Sequence, residues 1–170
     1  EWISQFWWQE LDTDVQEQLR VDLLALCAST SIVMHNAVAD LKKLRENGFA
    51  FTGPENFKEL NDSMLLHAVL ESELPHDLGY LGIEHGTLPA YKNLGVVPGA
   101  ADIYNACDVV QTSLIWTRYL KPFMDKDPQS EFIYRSLQMP DIWQIIEGEE
   151  AGIRVNPYTP VPLYHRYDQK

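Results

Sequence analysis

Ser31-Ile-Val-Met-His35-Asn36-Ala-Val-Ala-Asp40-Leu-Lys-Lys-Leu-Arg-Glu-Asn-Gly48 reads as a buried strand that passes directly into a helix. Residues 31–35 are a short apolar, partly β-branched run, which suits a strand covered by other elements. Asn36 stands where a helix N-cap belongs, and Gly48 stands where a helix stops, so a helix is expected over 36–48. Upstream, Asp12-Thr13-Asp14 offers helix-starting oxygens. Val15, Leu19, Leu23, Leu24 and Leu26 then recur at helical spacing and predict a helix over 14–28. Helix, strand, helix is the rhythm of an α/β fold.

Downstream, Gly53-Pro54-Glu55-Asn56 reads as a turn, followed by a short strand over 57–60. Asp62 can cap a helix over 63–70, and a further short helix is expected after Pro75-His76-Asp77, through Leu78, Leu81 and Ile83. Residues 86–98 read as a loop. A long periodic helix is expected over 101–120, carrying Ile103, Ala106, Val110, Leu114 and Tyr119. A last helical stretch, 129–150, is expected to end or kink at Pro140. Tyr158-Thr-Pro-Val-Pro-Leu-Tyr-His-Arg-Tyr is Pro-rich and aperiodic, like a connector.

The 170-residue chain is 45% apolar and 22% charged, enough for one domain with a real core. Its 13 Lys and Arg against 25 Asp and Glu leave a formal charge of −12. That balance excludes a domain that grips nucleic acid by spreading positive charge along the phosphates. Such a substrate would have to be met by metal ions or by another part of a larger protein. Cys27 and Cys107 show no CxxC spacing, so they support neither a disulfide framework nor a zinc cluster, and a reducing compartment is expected. The longest apolar runs fall short of the roughly 20 residues of a membrane span. The absent initiator Met and the three Trp among the first eight residues suggest a fragment of a longer chain.

Two constellations can carry chemistry. In His35-Asn36-x-x-x-Asp40, a carboxylate lies one helical turn past a strand's carboxyl end, where α/β sheets bind ligands. Asp40 there can hold a metal ion while Asn36 orients something beside it. Alternatively Asn36 only caps the helix and Asp40 only complements its dipole. In Tyr104-x-x-x-Asp108, the i to i+4 spacing puts a phenol and a carboxylate on one helix face. Asp108 sits among Ala106, Cys107, Val109 and Val110, where a lone buried charge needs compensation, unless it points outward to water. Carboxylate oxygens suit Mg²⁺ or Mn²⁺, although two Asp alone are few for a pair of ions.

The His35-to-Leu44 string followed by Gly48 resembles the second motif of the DEDD-type 3′-to-5′ exonucleases. Tyr104-x-x-x-Asp108, followed by Val109 and Thr112, resembles their third motif in its tyrosine form. Asn61-Asp62-Ser63-Met64 and His76-Asp77-Leu78-Gly79-Tyr80-Leu81 are similar to the intervening segment in the proofreading domain of family A DNA polymerases, especially phage-type ones. Glu147-Gly-Glu-Glu-Ala-Gly152-Ile153-Arg-Val155 is similar to the stretch leading from that domain toward the polymerase body.

The resemblance implies a helix-rich α/β fold of the ribonuclease H-like exonuclease type, and two-metal hydrolysis at the 3′ end of single-stranded DNA. By position, Asp40 and Asp108 would be ligands of two Mg²⁺ or Mn²⁺ ions, and Tyr104 would orient the attacking water. Asn36, His35, His76 and Lys92 would face the substrate, while Asp62 is expected to be a structural helix cap. The family's first motif, Asp-x-Glu on an opening strand, has no counterpart here: Asp12-Thr13-Asp14 lacks the Glu and follows no apolar strand. The opening strands are therefore expected to be missing, with residues 1–128 forming a partial exonuclease domain and 129–170 a helical connector toward a polymerase domain of the same parent chain. The fragment alone is expected to be inactive. The expected setting is the cytoplasm of a bacterial or phage-infected cell, with no membrane partner. Two rivals are a structural domain that has lost its chemistry and a free-standing RNA-trimming relative. The cluster Trp2, Phe6, Trp7 and Trp8 is expected to be packing surface, not a base-stacking platform.

Overall fold

The computed structural model describes residues 8–85 and 88–152. Helix α1 (Thr13–Ser29) follows Asp12, and the Thr30 amide closes its end on the Leu26 carbonyl at 3.0 Å. Strand β1 (Ser31–Met34) leads into α2 (Ala37–Glu46), and strand β2 (Glu59–Asp62) follows. Then come α3 (Ser63–Leu70), α4 (Leu78–Glu84) and α5 (Ala101–Ile115). Helix α5 continues through a π turn at Trp116–Leu120 into α6 (Lys121–Met124). Helices α7 (Pro128–Ile133) and α8 (Met139–Ala151) are likewise joined by a π turn, Tyr134–Gln138. Trp8 of the amino-terminal aromatic cluster packs on Phe49 (ring centroids 5.1 Å apart) and under Arg20. Trp2, Phe6 and Trp7, and the connector expected over 153–170, lie outside the described residues.

Among the described residues β1 and β2 form a two-stranded parallel sheet, in register from Ser31 beside Glu59 to Met34 beside Asp62. Parallel strands need a crossover, and α2 supplies it. Successive strand residues point to opposite faces. Ile32, Met34 and Leu60 pack against a core built on Cys27, Ala37, Leu41, Phe51, Ile142 and Ile146. Val33 packs against a second core built on Leu66, Leu81, Ile115, Leu120, Met124 and Tyr134. Helices thus cover both faces of the sheet, which accounts for the continuous apolar run of Ile32, Val33 and Met34 in β1, while β2 brings the polar Asn61 and Asp62 into the interior. The first core carries an aromatic run, with Phe51 5.0 Å from Phe57 and Phe57 6.1 Å from Trp143. Leu41 and Phe51 are fully buried, and truncating either to Ala should cost about 2–5 kcal/mol.

Two glycines answer to geometry. Gly48 ends the turn after α2 at φ +82°, a conformation that penalises other side chains. Gly82 lets α4 approach α5: a Cβ there would meet the side chain of Gln111, which donates to the Leu78 carbonyl.

Pro140 does not end its helix. It lies in the first turn of α8, directly after the π turn, whose residues keep helical dihedral angles into Met139. The helices after residue 128 share both cores with the α/β unit: Tyr134 belongs to one and Ile142, Trp143 and Ile146 to the other. The Tyr134 hydroxyl, from the π turn, accepts from the Asp62 amide at 2.7 Å and donates to the Asp62 carbonyl at 3.3 Å. Ion pairs Lys42–Glu149 and Arg45–Glu150 join α2 to α8.

Candidate functional site

At the carboxyl end of β1 a cleft of about 820 Å³ opens, and His35, Asn36, Asp40, Asp77, Lys92 and Asp108 line it. Its floor is organised by an aspartate with another task. Asp62, 1% exposed at the end of β2, accepts from the Met64 and Leu65 amides at 2.8 and 3.2 Å, capping α3 as expected. It also accepts from the amides of Asn36 at 3.2 Å and Ala37 at 2.6 Å, which begin α2. One carboxylate therefore satisfies orphan N–H groups of two helices.

This corrects the reading of Asn36 as the cap of α2. Asn36 occupies the cap position in the left-handed region (φ 68°, ψ 60°), and its side chain makes no capping bond. Asp62 does that work from across the sheet, which releases the Asn36 amide group to the cleft wall.

Asp40, in the first turn of α2, reaches the same cleft. The surrounding protein displaces water from it, and the neighbouring Asp62 charge adds repulsion, so its pKa is pushed up to about 6. By surface area Asp40 is exposed, so solvent screens it and the energetic weight of that shift is modest. Burial holds the pKa of His35 below its ordinary value, so the ring is neutral at pH 7. Its Nδ1 lies 2.9 Å from Ser63 Oγ, whose own hydrogen goes to the Met34 carbonyl at 3.1 Å. Nδ1 of His35 must therefore be the donor, which leaves Nε2 as an acceptor.

Asp108 reaches the cleft from α5, and its charge is compensated. The Tyr91 hydroxyl and Lys92 Nζ each donate to its Oδ1 at 2.6 Å. The Asp108 side chain is 28% exposed, so it is neither sunk nor fully out in water. Burial works against the Lys92 charge, but its bonds to Asp108 and Tyr104 outweigh that and raise its pKa. Burial and the bond to Asp108 drive the Tyr91 phenol far above its ordinary pKa, so it remains a donor. Tyr104 is not on the cleft wall itself: its hydroxyl accepts from Lys92 Nζ at 3.2 Å, and the ammonium lies 4.9 Å from its ring centroid.

The structure thus brings His35, Asn36, Asp40, Lys92 and Asp108 to one cleft, with Tyr104 attached through Lys92. His76 is elsewhere, its Nδ1 2.8 Å from Nδ1 of His67. Tyr91 and Asp77 escaped the sequence reading. The pairing of Tyr91 with Lys92, just ahead of the Tyr104–Asp108 helix, was the one signal for the former. Lys42 and Lys43 pair with Glu149 and Glu46. No described helix is long and apolar enough to cross a membrane.

Carboxylate oxygens are the donors that suit a hard divalent cation, and two of them are too few for a pair of ions. Asp77, the third acid on the wall, is engaged as the cap of α4 through the Tyr80 amide at 2.9 Å. No family model, curated protein or solved structure matches the chain.

Proposed function

We propose that this chain is a large part of a ribonuclease H-like 3′-to-5′ exonuclease domain, of the proofreading kind found in family A DNA polymerases, acting on the 3′ end of single-stranded DNA. The observation that carries the reading is the convergence of Asp40 and Asp108, far apart in sequence, on one cleft at the carboxyl end of a parallel strand. The resemblance of the segments around them to the second and third exonuclease motifs supports it.

In this reading Asp40 and Asp108 would hold Mg²⁺ or Mn²⁺, which would supply charge neutralisation at the phosphate and a water of lowered pKa. The acids of an Asp-x-Glu motif would be needed for a second ion. The chain's own groups set the rest. Lys92 exchanges part of its bond to Asp108 for a phosphate oxygen, which removes an ammonium from a metal-ligating carboxylate. Tyr104, released from Lys92 in the same movement, offers its hydroxyl to the attacking water. The Asn36 amide and His35 Nε2 face the terminal nucleotide. Asp40 must be ionised to bind a cation, so protons compete with the metal and cation binding weakens as pH falls through about 6.

The Lys92–Asp108 ion pair also favours one rival, a polymerase-associated domain that keeps the fold without the chemistry. A 5′-labelled single-stranded oligonucleotide separates the two. A protein that joins an Asp-x-Glu segment ahead of this chain should shorten the oligonucleotide from its 3′ end with Mn²⁺. Asp108→Ala should abolish this with circular dichroism unchanged. Digestion that survives Asp108→Ala removes the nuclease assignment, and an inert unsubstituted protein selects the rival.

A further inference from the structure

On the far side of α3 and α4 lies a second cluster of ligating groups. His67, in the last turn of α3, is 1% exposed. Its Nε2 lies 3.6 Å from Oε2 of Glu84, the last residue of α4, and Nε2 of the following residue, His85, lies 4.0 Å from the same oxygen. The three ligand atoms all fall within 4.8 Å of one another, and among the described residues they are the one such group of three or more His, Cys, Asp and Glu.

Two independent features point to a ligand there. Nε2 of His67 and Nε2 of His85 are both buried without a hydrogen-bond partner, an arrangement that native interiors rarely leave standing. Both also face the one carboxylate able to share an ion with them. In addition, Nδ1 of His67 has its own partner, Nδ1 of His76, at 2.8 Å. When His67 donates that bond, its Nε2 carries the bare lone pair, which is how an outer partner prepares a ligating imidazole. The His85 ring is fixed by Tyr119, with ring centroids 3.6 Å apart.

We propose that His67, Glu84 and His85 form a binding site for a divalent transition ion of the zinc class, with His76 as the positioning residue for His67. Two imidazoles and one carboxylate suit Zn²⁺, whereas Mg²⁺ and Ca²⁺ prefer oxygen donors. A tetrahedral ion with bonds of about 2.0–2.1 Å sets its donors roughly 3.3 Å apart. The observed 3.6 and 4.0 Å contract to that value through small side-chain rotations. A pocket of about 240 Å³, lined by Leu70, Glu71, Tyr119 and Phe123, adjoins the three ligands and leaves room for a water at the fourth position. The ion ties the end of α3 to the end of α4 and is separate from the Asp40–Asp108 cleft.

The test uses the full chain, stripped with a chelator and given Zn²⁺ or Co²⁺ alone. Desalted protein should retain one equivalent of zinc, and Co²⁺ should give the intense visible bands of a four- or five-coordinate site. Glu84→Gln and His85→Gln, both at partly exposed positions, should keep the helical circular dichroism and weaken retention by at least roughly tenfold. His76→Gln should weaken it less. The double substitution Asp40→Asn, Asp108→Asn should retain zinc like the unsubstituted chain. Failure of the chain to retain zinc at micromolar concentration, or equal retention by Glu84→Gln and His85→Gln, overturns the site. Loss confined to the Asp40, Asp108 double variant overturns it too, because the zinc would then belong to the cleft.

Discussion

The open cleft and the histidine pocket face different solvents, and their donors differ accordingly. In the cleft the candidate ligands are carboxylates in contact with water, and a lysine neutralises one of them. In the pocket two of the three donors are imidazoles whose free ring nitrogens are buried and unpaired, and the third is the partly exposed Glu84 carboxylate. Charged oxygens tolerate a wet concavity, where a hard cation can keep part of its hydration shell. Neutral nitrogens can be buried at less cost and hold an ion that prefers them. The same α/β scaffold thus offers an exchangeable kind of site on one side and a retentive kind on the other.

Removal of Asp62 breaks that contrast most severely. Its carboxylate satisfies four amides at the starts of α2 and α3. Asp62→Ala should cost about 3 kcal/mol, read as a lower urea midpoint, and should blunt both sites because α2 carries Asp40 and α3 carries His67. Zinc at a hundred times its dissociation constant should add about 2.7 kcal/mol to the unsubstituted chain and about 1.4 kcal/mol or less to a Glu84→Gln variant that binds at least tenfold more weakly, a difference that thermal melting would show. Smaller still, Tyr91→Phe removes one of the two bonds on Asp108 Oδ1. It should weaken Mn²⁺ binding at the cleft up to about tenfold, measured by electron paramagnetic resonance, with zinc retention unchanged.

The smallest effect is in the pH dependence of stability. The folded pKa of Asp40, about 6, lies above its ordinary value of 3.8. Between those values the folded protein binds a proton that the unfolded chain has lost, so this group makes stability fall as pH rises through the window. Asp40→Asn should remove that slope. It should leave the protein about 1 kcal/mol more stable than the unsubstituted chain at pH 7.5, after allowance for solvent contact, and no different below pH 3.5. A slope unchanged by the substitution would mean that Asp40 is ordinarily solvated.

What the sequence made legible was local. The bounds of α3 followed from Asp62 and the apolar residues after it, because an N-cap signal and a helical repeat are both short-range. The β1 to α2 junction was readable for the same reason. Asp62 as the cap of α2 was not, since its partners lie 25 and 26 residues away. Asp108 visibly needed a counter-charge, and Lys92 stood out only as a candidate substrate contact, because the aperiodic segment that carries Tyr91 and Lys92 says nothing of how they fold back on α5. The pairing of His67 with Glu84 and His85 is equally long-range, and a search for cysteine spacing passes over it. Pro140 misled for a different reason. An end at Pro140 assumed that the proline falls inside an α-helical ladder, whereas it stands in the first turn after a π turn.

The Tyr134 hydroxyl, fixed to both backbone groups of Asp62, makes the carboxyl-terminal helices part of the cleft's foundation. Trimming the chain after residue 128 would leave the last rung of β2 without its plug and expose the polar backbone beneath the acids. Any shorter version meant to retain the cleft must therefore keep the Tyr134 turn.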